Sequence, residues 1–126
     1  FFPRHFPDKP FRAFWCSSWL FDAQLEAMLP PHSNLVRFLR EFYLVPVGSD
    51  PWGAIRFVFD VDIPYGATAA DISRLPRKTT LQRALLEHVE KGGHLRKAGA
   101  LLLSKDLQWG AQVYRNLNPI QDLPQP

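Results

Sequence analysis

A two-residue alternation opens the readable part of the chain. Phe11, Ala13, Trp15, Ser17 and Trp19 fall on one side of an extended segment, with Arg12, Phe14, Cys16, Ser18 and Leu20 on the other. Both sides carry large apolar groups, which predicts an interior strand from Phe11 to Leu20. The proline-broken FFPRHFPDKP before it reads as an incoming segment ending in a linker. Asp22 then caps a short helix, DAQLEAML, stopped by Pro30 and Pro31. In SNLVRFLREFYLVPV, Ser33 or Asn34 could cap a helix. Yet Leu35, Arg37, Leu39, Glu41 and Tyr43 alternate with Val36, Phe38, Arg40, Phe42 and Leu44, and that alternation predicts a strand from Val36 to Val45. After a GSDPWG turn, WGAIRFVFDV fits either a helix following Pro51 or a buried strand, and periodicity does not decide between them. VDIPYGATAADISRLP reads as a loop with one helical turn at Ala69 to Ser73.

The period then changes. Thr79 followed by Gln82 is a capping-box spacing, so a helix is predicted to begin at Thr80. Leu81, Ala84, Leu85, His88 and Val89 recur at three- and four-residue steps and form its buried face, while Gln82, Arg83, Glu87, Glu90 and Lys91 fill the wet side. Gly92 is placed to take the left-handed position that ends the last turn. A turn and a final strand, Ala98 to Leu103, follow. From Gln108 the chain has no sustained period and ends proline-rich, which predicts a mobile tail after a folded unit of residues 1–107. The pattern as a whole predicts an α+β fold, a mixed β-sheet with flanking helices.

Composition narrows the class. The chain has 126 residues, 46% of them hydrophobic, which is one domain's worth of material with one core. A net charge of +3 and a pI near 9.3 permit a polyanionic partner but fall short of the dense Lys/Arg content of a dedicated nucleic-acid binder, so nucleic acid is not the expected partner. The single cysteine, Cys16, excludes an intramolecular disulfide framework and fits a reducing compartment. His5, His32, His88 and His94 lack metal-ligand spacing, so no metal is expected. The apolar runs are too short to span a bilayer, and the chain reads as soluble and cytoplasmic. Its first residue is Phe1, which marks a fragment or a processed product.

The charge that the long helix does not need sits at its start. Arg74, Arg77, Lys78 and Arg83 gather where free amides and the positive end of the helix dipole already favour an anion. A bound phosphate would relieve that conflict, so Arg77, Lys78, Thr79, Thr80 and Arg83 form a candidate anion site. The alternatives are a solvated basic turn, or pairing of the arginines with Asp60, Asp62 or Asp71. Ser33 and Asn34 are either local turn chemistry or a substrate contact. Cys16 is expected in the core, as are Trp15 and Trp19. Tyr43, Glu41, His88 and His94 have acid-base side chains, but each also fits as a plain strand or helix residue, and no catalytic residue is assigned.

Three stretches, CSSWLFDAQLEAMLPPHSNLVRF from Cys16, REFYLV from Arg40 and LPRKTTLQRALLEHVEKGGH from Leu75, combine into a resemblance. In this order and spacing they resemble the C-terminal domain of a bacterial family of GNAT-like acyltransferases, large proteins with a separate N-terminal acyltransferase region. The resemblance covers Phe1 to Leu103, and its marks are C-x-SWL, P-x-x-SN before F-x-x-x-F, and LPR-x-T-x-LQRA. It implies the C-terminal half of a GNAT fold, a helix over Trp52 to Phe59, acyl-coenzyme A as co-substrate and an unknown acceptor. If the basic helix start is functional, Arg77, Lys78 and Arg83 are expected to bind phosphate or the phosphates of coenzyme A. GNAT folds hold the pyrophosphate on a Q/R-x-x-G-x-G/A loop, and the glycines of this chain never adopt that spacing. The cradle is therefore expected in the preceding N-terminal region, with this chain inactive alone. The alternative class is a non-catalytic interaction or nucleic-acid-binding module with a basic helix start.

Overall fold

The computed structural model describes residues 2–64, 66–108 and 110. One helical turn, α1 (Phe2–His5), precedes the first strand, β1 (Ala13–Ser18). A 3-10 turn, Trp19–Phe21, leads into the short helix α2 (Leu25–Met28) and then α3 (Asn34–Leu39). Strand β2 (Tyr43–Pro46) is followed by α4 (Gly53–Phe59), α5 (Ala69–Ile72), α6 (Thr80–Glu90) and β3 (Ala98–Leu103). The α+β expectation holds. The three strands lie in the order β1-β3-β2, and both pairings are antiparallel rather than mixed. The register runs from Ala13 opposite Leu103 to Ser18 opposite Ala98, and from Tyr43 opposite Leu101 to Pro46 opposite Ala98.

Two expectations fail here. The segment Val36 to Val45 is not one strand: its first part is α3 and only Tyr43–Pro46 extends. Ser33 caps α3 by accepting from the Val36 amide at 3.3 Å, and Val36 and Leu39, one turn apart, are both fully buried. A helical spacing was hidden inside a run whose neighbours also alternate. Phe38 and Phe42 then close on Phe21, with ring centroids 5.6 and 5.0 Å away, which fixes the bend between helix and strand.

β1 is the second correction. It forms an edge of the sheet, not an interior strand, and it stops at Ser18, where the Ser18 hydroxyl accepts from the Leu20 amide and starts the 3-10 turn. Phe14 is 40% and Trp15 55% exposed, and Cys16 is exposed as well, so neither Trp15 nor Cys16 belongs to the core. Trp19 does pack against it, with Phe57 at a centroid distance of 5.7 Å.

The core lies among the helices. Leu25, Val36, Ile55, Leu85 and Leu86 are sealed at its centre, with Ile63, Ile72, Val89 and Leu95 around them. α4 takes the helical form implied by the resemblance and ends at Asp60, whose φ of 51° is left-handed. Arg56 ties its surroundings together by pairing with Asp50 and donating to the Ile63 carbonyl. The Asp50 carboxyl is held below its ordinary pKa, first by the Trp52 amide that donates to it and then by Arg56. α5 is the single turn expected after Thr68, and Asp71 accepts from both the amide and the hydroxyl of Thr68 at 2.8 Å. The tail expected from Gln108 lies, from residue 111, outside the described residues.

Candidate functional site

α6 follows its sequence closely at both ends. The Thr79 hydroxyl accepts from the Gln82 amide at 3.1 Å, and Gln82 Oε1 accepts in return from the Thr79 amide at 3.1 Å and the Lys78 amide at 2.9 Å. Gly92 closes the helix with φ 81°. The buried face is turned slightly from the expected one: Leu85, Leu86 and Val89 are buried, while Leu81, Ala84 and His88 are only half-buried. α6 is gripped by α2, α4 and α5 at once, which brings Leu86 inside as well.

The basic start of α6 is assembled but largely self-satisfied. Arg77 forms an ion pair with Glu90 on the last turn of the same helix. Arg83 reaches back over the cap, donating to the Arg77 and Lys78 carbonyls at 3.1 and 3.2 Å and to the Thr80 hydroxyl at 3.2 Å. Among the described residues neither Arg77 nor Arg83 forms an ion pair with Asp60, Asp62 or Asp71; Glu90 pairs with Arg77 instead, and Arg74 acts on Asp71 only through its field. Lys78 has no carboxylate partner among the described residues. The capping box occupies the Gln82 and Thr79 amides and leaves those of Thr80 and Leu81 without an intrahelical acceptor.

Thr80 and Leu81 border a cleft of about 410 Å³ whose opposite wall is Pro30, His32, Ser33 and Asn34. The two groups of residues singled out in the sequence, the start of α6 and the Ser33–Asn34 turn, therefore meet across one opening. Ser33 has its structural role as well, since it caps α3. Arg77, Lys78, Thr79 and Arg83 do not line the cleft but flank its helix. Sequence reasoning missed His32 on the cleft wall and Glu90 opposite Arg77, and neither carries a local signal, because each contact joins residues from separate turns.

The other acid-base side chains lie elsewhere. Glu41 is buried and accepts from the Gly110 amide at 3.1 Å, and Tyr43 starts β2. His88 packs beneath Gly93 with Nε2 buried and without a partner among the described residues. No group of three or more His, Cys, Asp or Glu that could hold a metal occurs among the described residues. Nor is any described helix long and apolar enough to cross a membrane.

A helical layer on a three-stranded antiparallel sheet, with β1 and β2 as its edge strands among the described residues, defines an α+β domain. The chain belongs to the GNAT-like C-terminal domain family, whose pattern matches residues 1–102. Among solved structures it is similar to an acyltransferase in complex with CoA and 10C-teicoplanin, at 30% identity and a TM-score of 0.65 over 81% of this chain and 32% of that one. An acyltransferase mutant in complex with octanoyl-CoA matches equally, at 30% identity, TM-score 0.65, and 81% and 32% coverage. An acyltransferase in complex with decanoyl-CoA matches at 28% identity and TM-score 0.65, over 80% of this chain and 30% of that one. This chain thus spans about a third of the length of those proteins. No curated protein matches it.

Proposed function

We propose that the chain is the C-terminal part of an acyl-coenzyme A-dependent N-acyltransferase, completed by an N-terminal acyltransferase region and inactive without it. The observation that carries this reading is the 30% identity, over 81% of the chain, to an acyltransferase crystallised in complex with CoA and 10C-teicoplanin. The unpaired edge of β1 supports it, because a sheet of three strands with an exposed Trp15 at its edge is the kind of half-structure that a preceding region would extend. The missing pyrophosphate loop supports it too.

Acyl transfer to an amine forms an amide C–N bond and breaks the thioester C–S bond, and the amine proton must leave as the thiolate is protonated. In this reading Ser33 and Asn34 contact the substrate across the cleft. The start of α6 meets phosphate oxygens of the donor, with the amides of Thr80 and Leu81 supplying geometry and Lys78 charge. Arg77 joins only by exchanging Glu90 for the ligand, and Arg83 holds the cap, with Thr79 and Thr80, in the shape that presents those amides. The acceptor is a small molecule that this chain does not identify.

The test compares decanoyl-coenzyme A turnover by this chain alone and by the longer protein that contains it. The expected result is none for the chain and measurable transfer to an amine for the longer protein, weakened in coenzyme A binding by Arg77→Gln with Arg83→Gln at nearly unchanged melting temperature. Turnover by the isolated chain would overturn the half-enzyme reading. Unchanged binding in the double variant would remove the α6 start from the site.

A further inference from the structure

Two adjacent cations outside any ion pair stand at the far end of α6. Past Gly92 and Gly93 the chain is anchored by Leu95, 3% exposed, and then carries Arg96 and Lys97 immediately before β3. Each is pinned through its backbone by a side chain distant in sequence. Asp22, itself only 5% exposed, accepts from the Arg96 amide at 2.8 Å. Ser49 Oγ accepts from the Lys97 amide at 3.0 Å and donates to the Lys97 carbonyl at 3.2 Å. Gln24 completes the frame, donating from Nε2 to both Asp22 oxygens at 3.1 Å and to the His94 carbonyl at 2.9 Å.

This frame fixes two adjacent positive residues and leaves both side chains outside any ion pair. Neither Arg96 nor Lys97 has an ion-pair partner among the described residues. The Asp22 oxygens are occupied by N–H donors, and Asp50, which feels the field of Lys97, is paired with Arg56. Arg96 and Lys97 line a cleft of about 380 Å³ with Asp22 at its base, and its apolar wall includes Phe21, Leu44, Val45 and Pro46. An opening of that size, mostly apolar with convergent polar groups at one side, suits a small molecule with one charged end. A dianion matches two adjacent cations, and the planar guanidinium fork suits tetrahedral oxyanions.

We propose that this cleft binds a phosphate monoester carried on a small molecule, with the phosphate on Arg96 and Lys97 and the rest of the molecule against Leu44, Val45 and Pro46. The site is separate from the start of α6 and does not depend on the acyl-transfer reading. It differs from that start in how its cations are held: there Arg77 and Arg83 are engaged by the protein itself and Lys78 alone stays open, whereas here the backbone is fixed and both cations stay open.

Calorimetric titration of the 126-residue chain with inorganic phosphate, adenosine 3′,5′-bisphosphate and octyl phosphate tests it. One of the two larger probes is expected to bind more tightly than inorganic phosphate. Preference for the bisphosphate assigns a nucleotide source and preference for octyl phosphate a lipid-like one. Arg96→Gln with Lys97→Gln should weaken that probe by about tenfold or more, the loss of charge-assisted hydrogen bonds. Arg96→Lys with Lys97→Arg should retain binding, which separates lost charge from lost fold, and Ser49→Ala should weaken it by freeing Lys97. Arg37→Gln with Lys105→Gln, an equal loss of exposed charge away from the cleft, should leave it unchanged. Failure of both larger probes to bind the parent chain, parental affinity in the Arg96/Lys97 glutamine pair, or an equal loss in the Arg37/Lys105 pair would overturn the proposal.

Discussion

α6 and β1 carry equally clear patterns in the sequence and end in opposite situations. α6 satisfies its own backbone, caps itself through Thr79 and Gln82, and buries Leu85 and Leu86 completely. β1 pairs with β3 along one edge only and leaves Trp15 more than half in water. The difference is one of where the partners come from. A helix closes its hydrogen bonds within itself, so spacing and caps decide it locally, whereas a strand needs two neighbours that the local sequence does not name. Alternation told that β1 has two apolar sides; it carried no information about what covers them.

The contrast can be broken at its strongest point first. Leu85→Ala should destabilise the chain by about 2–5 kcal/mol in denaturant titration, because a sealed side chain leaves a cavity among α2, α4 and α6. A cost below about 1 kcal/mol would mean that the helical layer relaxes freely and is no better packed than the sheet edge. Thr79→Ala should cost about 1 kcal/mol, the usual worth of an N-cap, and should leave the denaturant slope unchanged. No loss would place the stability of the α6 start in Arg83 and its carbonyl contacts. The smallest effect is expected on the open side. Trp15→Thr should cost less than about 1 kcal/mol, since most of the indole is already exposed and threonine is a good strand former. A loss as large as that of Leu85→Ala would show that the face of β1 is covered in solution.

The same distinction between local and distant partners governs how much was legible. Helix α6, its cap, its Gly92 ending and the strand Ala98–Leu103 follow from neighbours within a few residues, and all are present. The one-turn α5 is similar, since Thr68 and Asp71 form their own box. α3 was misread because two periods overlap in it: Val36 and Leu39 obey the helix, while Leu35 through Tyr43 also alternate. The packing of Phe38 and Phe42 on Phe21, from another part of the chain, decided between them. At the candidate site, the cap geometry was readable but the fate of its charges was not. Arg77 finds Glu90 thirteen residues on, and Arg96 is held by Asp22 seventy-four residues back. No window of sequence contains both members of such a pair.

Gly99 sits directly beneath the Trp15 indole, so close that a Cβ there would overlap the ring. Its backbone is not left-handed; the constraint is space alone. Positions 15 and 99, diagonal neighbours across β1 and β3 with Trp15 opposite Leu101 and Gly99 opposite Ser17, are therefore a single choice written in two places. A lineage that gains a side chain at 99 must shrink or turn aside the residue at 15, and one that keeps the indole must keep the hydrogen. The history of this sheet edge is thus to be read in how two distant columns of related sequences move together, and not in either column by itself.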